Sequence, residues 1–179
     1  VPDAVDPTAA DLATGPDVAP AAAVVAATLR APGRPAGFGA VADQLDLAVE
    51  AAYAVADPVL LELVRLRIAQ MLGSTADVAH RSPAAVAAGL DEATVAELAQ
   101  WPSSERFDAT ARACLALCEH YVLDVASIDD ATVLAVGDAL GPTGLSEFVN
   151  AMLVVEQRIR LRLMWERLGL TAGAHGTGE

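Results

Sequence analysis

The chain has 179 residues, 54% hydrophobic and 20% charged, which is enough for one domain with its own core and too few for two ordinary ones. Its formal net charge is −13 at pH 7 and all 11 basic residues are arginine, which excludes lysine nucleophiles and Schiff bases and argues against a nucleic-acid partner. The apolar letters are largely alanine and no run approaches ~18 uninterrupted apolar residues, so no membrane-spanning helix is expected.

Residues 1–37 hold six of the 10 prolines around one uncharged run, Val18 to Leu29. Pro20 interrupts that run and no basic leader precedes it, so it fits neither a spanning helix nor a signal peptide. A loosely structured Pro/Ala-rich arm is expected here, and a fraying Gly-rich tail over 171–179.

Between the two, over 38–170, the breaks are helix breaks and no segment alternates apolar and β-branched residues as a strand does. The expected fold is therefore all-α, a single helical domain of six to seven helices. The first helix runs from about Gly39 to Ala56, with Val41, Leu45, Ala48, Val49 and Ala52 on one face. Asp57-Pro58 stops it and starts the second, Pro58 to Leu72, which Gly73 ends. A third, Ser74 to Ala88, opens on Ser-Thr-Ala-Asp and closes at Gly89. A short fourth follows an Asp91 cap and ends before Trp101-Pro102. The fifth starts at Asp108, turns Ala111, Cys114, Leu115, Cys118 and Val122 to one side, and ends near Asp124. The sixth spans Asp129 to Leu140 and stops at Gly141-Pro142. The last, Gly144 to Leu168, gathers Arg158, Arg160, Arg162 and Arg167 toward its C-terminal end, where cations suit the helix dipole.

The stretch from Glu62 to Gly73 (Glu-Leu-Val-Arg-Leu-Arg-Ile-Ala-Gln-Met-Leu-Gly), the following Gly89-Leu90, and Trp101 and Phe107 ahead of an Ala-rich helix resemble the carboxymuconolactone decarboxylase and alkylhydroperoxidase D superfamily. The likeness covers roughly Asp57 to Leu170. It implies an alkylhydroperoxidase D-like helical bundle and a homo-oligomer, usually built on trimers. In that family the second helix supplies a Glu and the third opens with Cys-x-x-Cys-x-x-x-His. A thiol at a helix N-terminus ionises readily and attacks a peroxide, while Glu and His relay protons.

Carried over without gaps, Glu62 falls on the family's Glu, Ser74 and Asp77 on its two cysteines, and Arg81 on its histidine. A one-residue slip would bring His80 there instead, but the fixed Gly73-to-Gly89 distance argues against it, and one residue turns a side chain ~100°. His80 is therefore expected beside the site. Ser and Asp cannot form a disulfide, so the dithiol peroxidase cycle is lost at this position.

The candidate site residues are thus Glu62, Ser74, Asp77 and Arg81, each with a structural alternative. Ser74 and Asp77 are a nucleophile and base, or an N-cap and a first-turn acid. Arg81 grips a ligand carboxylate, or pairs with Asp77 one turn away. Glu62 either pairs with a helical arginine such as Arg65 or faces a pocket with a raised pKa. Cys114 and Cys118, one turn apart, invite a redox or metal claim. Within a regular helix their Cβ atoms stay too far apart for an easy disulfide, and His120 points about 200° away from Cys118, so buried thiols are the better reading. His120 and His175 read as a helix-surface and a tail residue. No Gly-rich phosphate loop, His-Glu-x-x-His or Gly-x-Ser-x-Gly is present, so no cofactor or metal is expected.

Three functions remain open. The first is a family member without thiol chemistry whose pocket takes a small, carboxylate-bearing molecule. The second is a non-catalytic oligomeric assembly module. The third, least favoured, is a thiol oxidoreductase using Cys114 and Cys118. Two cysteines make no disulfide scaffold, and a reducing cytoplasm is the default setting.

Overall fold

A computed structural model describes residues 38–167. The expected arm over 1–37, the tail over 171–179 and residues 168–170 lie outside it. The described residues are helical and include no strand, as the missing alternation predicts. The chain divides into two compact units between Asp43 and Gln44. Only the start of the first helix represents the first unit, and the core and cavities below belong to the second.

Helix α1 spans Phe38–Val55. Asp57 caps α2, Pro58–Leu72, by accepting the Leu60 amide at 2.8 Å, and Pro58 takes the first helical position, where its missing N–H costs nothing. Gly73 ends α2 in the left-handed conformation (φ 73°), with its own amide and that of Ser74 returned to the carbonyls of Gln70 and Ala69.

The expected third helix, Ser74 to Ala88, is two separate turns, α3 (Thr75–Ala79) and α4 (Pro83–Ala87). Pro83 is the reason. It has no amide to give the preceding turn, and it drives Ser82 into extended backbone (ψ 129°), with His80 extended as well (ψ 148°).

Helix α5 is Glu92–Ala96, capped by Asp91, and a 3-10 turn over Leu98–Gln100 follows. Asp108 caps α6, Ala109–Leu123, through the Ala111 amide at 2.7 Å. A second 3-10 turn covers Val125–Ser127. Helix α7, Asp130–Arg167, is broken at Gly141 (φ 72°, ψ 170°). The break lies where the sixth helix was expected to stop, but helix resumes at once because Pro142 suits a first helical turn.

Helix α2 is the axis of the core. Every residue from Leu61 to Leu66 is buried, polar Glu62 and Arg65 included, so α2 is enclosed on all sides instead of presenting one stripe. Leu61, Val64, Leu66 and Ile68 meet Cys114, Leu115 and Cys118 of α6 and Phe148, Met152, Val155 and Ile159 of α7 in one cluster, with Leu98, Trp101 and Phe107 closing one side. Each fully buried aliphatic side chain contributes about 1.5–3 kcal/mol, which leaves the two charged residues on α2 as the features that packing alone does not account for.

Candidate functional site

Glu62 is fully buried. Arg65, one turn on, meets its carboxylate as a fork, Nε to Oε2 at 2.8 Å and Nη2 to Oε1 at 2.7 Å. The Tyr53 hydroxyl of α1 also donates to Oε2, and the Ser82 amide donates to Oε1 at 3.0 Å. Arg65 goes on to the Asp77 carbonyl at 3.0 Å and the His80 carbonyl at 2.8 Å. The Asp77 carbonyl otherwise has only the His80 amide at 3.3 Å, and the His80 carbonyl, past the end of α3, only the Arg81 guanidinium at 3.0 Å. The buried pair therefore satisfies the broken segment, and the break in turn satisfies the pair.

The electrostatics follow. Burial pushes the Glu62 carboxyl upward, but Arg65, Tyr53 and Ser82 outweigh it and hold the group below its ordinary value. The raised-pKa alternative for Glu62 is thus corrected: it is an ionised, fully partnered carboxylate. Burial, reinforced by the Glu62 charge, keeps the Tyr53 phenol protonated.

Ser74 occupies the N-cap position of α3, but its hydroxyl does not cap. Its amide is already spent on Ala69, which rules out the reciprocal capping box, and its Oγ donates to Asp77 Oδ2 at 2.5 Å. Asp77 also receives Arg162 of α7 at 3.3 Å on Oδ1 and lies 4.0 Å from Arg65.

Arg81 does not join this group. Its guanidinium binds Glu92 at 2.8 and 3.1 Å and the Val78 carbonyl at 2.6 Å. The expected pairing with Asp77 is not met, since Arg81 pairs with Glu92, and Arg81 is not among the residues lining the cavity beside Asp77. The end of α3 at His80 redirects the chain one residue before Arg81, so the helical register that would have aimed it inward is lost.

A cavity of about 530 Å³ lies against this network, within the range of small-molecule sites. Asp77 and Arg65 line it; Glu62 and Ser74 stand behind them. Val49, Val155, Ile159 and Pro83 supply apolar wall. His80, expected beside the site, also lines it; the remaining polar lining was not assigned to the site from sequence: Asp46, Glu50 and Tyr53 from α1, Ser82 from the broken segment, and Arg158 and Arg162 from α7. Helical spacing was the available signal, because Asp46, Glu50 and Tyr53, and likewise Arg158 and Arg162, recur at one-turn intervals. Arg158 binds Asp46 at 2.5 Å and its guanidinium lies 6.0 Å from the Trp165 ring centroid. Among the described residues no group of His, Cys, Asp and Glu is arranged to hold a metal ion.

Cys114 and Cys118 are fully buried, free thiols away from this cavity. Burial, aided by Asp108, pushes the Cys114 thiol up to about 12, and burial pushes Cys118 up as well. The buried-thiol reading is the one the geometry carries. His120 is half-buried, with an Nδ1 that has no partner among the described residues. No helix among the described residues is long and apolar enough to cross a membrane.

No family model, curated protein or solved structure matches the chain.

Proposed function

We propose that the chain is a diverged relative of the carboxymuconolactone decarboxylase and alkylhydroperoxidase D superfamily, without the dithiol peroxidase site, and that its cavity beside Asp77 binds a small carboxylate-bearing molecule. The supporting observation is the state of the two inner arginines. Arg65 is consumed by Glu62 and two carbonyls, whereas Arg162 makes only single contacts, to Asp77 at 3.3 Å and Glu166 at 3.4 Å, and its side chain keeps 39% exposure. A guanidinium has five N–H donors, so Arg162 retains donors to offer a carboxylate in the cavity. Glu62 and Ser74 then act as positioning residues, fixing Arg65 and Asp77, while Asp77 is the one member of the sequence-derived set that faces a ligand. Calorimetric titration with short-chain carboxylates tests this. Binding that weakens in Arg162→Gln is expected; no binding by any carboxylate at millimolar concentration would overturn it.

A second reading, a non-catalytic oligomeric module, draws on apolar side chains left in solvent. Leu123 is 76% exposed and Leu134 64%, with Val125 also exposed between the helices that carry them. Light scattering tests it, with a mass several times 18.3 kDa expected, in line with a trimer-based assembly. A monomer that still binds carboxylate would leave the first reading alone.

A further inference from the structure

The cavity wall separates by charge. Helix α1 contributes Asp46 and Glu50 one turn apart, and α7 contributes Arg158 and Arg162 one turn apart. One acid and one base are already joined across the gap, Asp46 to Arg158 at 2.5 Å. Arg162 leans instead on Asp77 and Glu166. Glu50 lines the same cavity and has no hydrogen bond or ion pair among the described residues.

The charge balance then limits what enters. Arg65, Arg158 and Arg162 face the carboxylates of Glu62, Asp77, Asp46 and Glu50, and Glu166 draws further on Arg162. Carboxylates thus outnumber guanidiniums here, in a chain whose formal charge is −13. A ligand with only a carboxylate brings another negative charge into a site that already holds a surplus, and Arg162 must be shared three ways. A ligand that also carries an ammonium gives Glu50 its missing partner and enters with no net charge. Val49, Val155 and Ile159 offer apolar surface to a carbon chain between two such groups.

We infer that the cavity selects an amino carboxylate, a zwitterion whose ammonium meets Glu50 and whose carboxylate meets Arg162, the two separated by a short carbon chain. This rests on the carboxylate-binding reading above.

The experiment is calorimetric titration of the full chain at pH 7.5 and constant ionic strength with 6-aminohexanoate, hexanoate and hexylamine, repeated with Glu50→Gln. Wild type should favour 6-aminohexanoate over hexanoate by about tenfold or more, and Glu50→Gln should bring the two within about threefold of each other. Glu50 is exposed, so the substitution leaves the fold in place, which a melting curve verifies. Hexanoate binding as tightly as 6-aminohexanoate, or a preference that survives Glu50→Gln, overturns the zwitterion assignment and leaves carboxylate binding intact. Hexylamine binding as tightly as 6-aminohexanoate, or no binding by either carboxylate, overturns the carboxylate reading itself.

Discussion

Arg65 reaches back along its own helix to both oxygens of Glu62 and across to the backbone of Asp77 and His80, so one buried guanidinium closes a carboxylate and a helix break together. The two charges are costly to bury singly and well matched as a pair. The loop from His80 to Ser82 satisfies only part of its own backbone, and the Ser82 amide turns to Glu62, because Pro83 prevents the helix that would have paired it.

That dependence predicts unequal mutational costs. Arg65→Ala leaves Glu62 charged and buried with only Tyr53 and Ser82 beside it, and takes one donor each from the Asp77 and His80 carbonyls. Destabilisation of about 3–5 kcal/mol is expected from chemical denaturation. A double replacement, Glu62→Gln with Arg65→Met, should cost less than Arg65→Ala alone, since no uncompensated charge remains. Equal or greater loss in the double variant would show that the pair is not the source of the penalty.

The same carboxylate sets a pH dependence. The folded-state pKa of Glu62 lies below its ordinary value near 4.5. Its contribution to stability is therefore full above that value and is lost as pH falls through the folded pKa. Exposed Asp91, Glu97 and Asp129 are also held low, by local hydrogen bonds, and lose stability over the same acid range. Melting temperatures followed from pH 7 to pH 3 should thus fall less steeply in Glu62→Gln than in wild type, without becoming flat. Parallel acid limbs would mean that Glu62 has the same pKa folded and unfolded.

These two predictions turn on residues whose surroundings were unequally legible in the sequence. Asp57-Pro58, Gly73, Asp108 and Gly141 are local signals, acting within one turn of themselves, and each marks a boundary at or within a residue of its expected place. Pro83 was equally local, and counting it as a break would have divided the third helix and withdrawn Arg81 from the site. The cavity is different in kind. Asp46 and Arg158 are 112 residues apart, and nothing in either neighbourhood indicates that α1 and α7 meet there. Glu62 was legible because a carboxylate among leucines requires an explanation. Arg158 and Arg162 were not, since cations late in a helix already have one in the dipole.

The Ser74 hydroxyl donates to a carboxylate in a buried setting, so its removal should cost more than loss of an ordinary surface cap. Ser74→Ala is expected to lower stability by about 1–3 kcal/mol, because Asp77 Oδ2 loses a close donor and water has little access to replace it. Ser74→Thr, which keeps the hydroxyl, should recover part of the loss. An unchanged melting midpoint in Ser74→Ala would mean that Arg162 and Arg65 satisfy Asp77 without it.

Thiol chemistry should be absent from the folded protein. With Cys114 pushed up to about 12 and Cys118 raised as well, negligible thiolate exists at pH 8, and neither sulfur is reachable. A disulfide-exchange reagent should label both cysteines at the rate of unfolding and rapidly only in denaturant. Hydroperoxide turnover with a dithiol reductant should match that of the Cys114→Ser, Cys118→Ser variant. Robust turnover lost in that variant would establish the thiol oxidoreductase reading.

Arg81 and Arg162 separate the sequence-derived site from the observed one. Arg81 pairs with Glu92, whose side chain is 64% exposed, at the molecular surface and does not line the cavity beside Asp77. Arg81→Ala should therefore cost no more than about 1 kcal/mol and leave 6-aminohexanoate affinity within about twofold of wild type. Arg162→Gln removes guanidinium donors that face the cavity and one of the partners of Asp77. Affinity should fall by about tenfold or more, with a modest loss of stability because Asp77 keeps Ser74. Both variants are compared by calorimetry at matched ionic strength, with melting curves as the control for folding. Loss of binding in Arg81→Ala, with Arg162→Gln unaffected, would return the ligand site to the position the family spacing implies and displace the cavity beside Asp77.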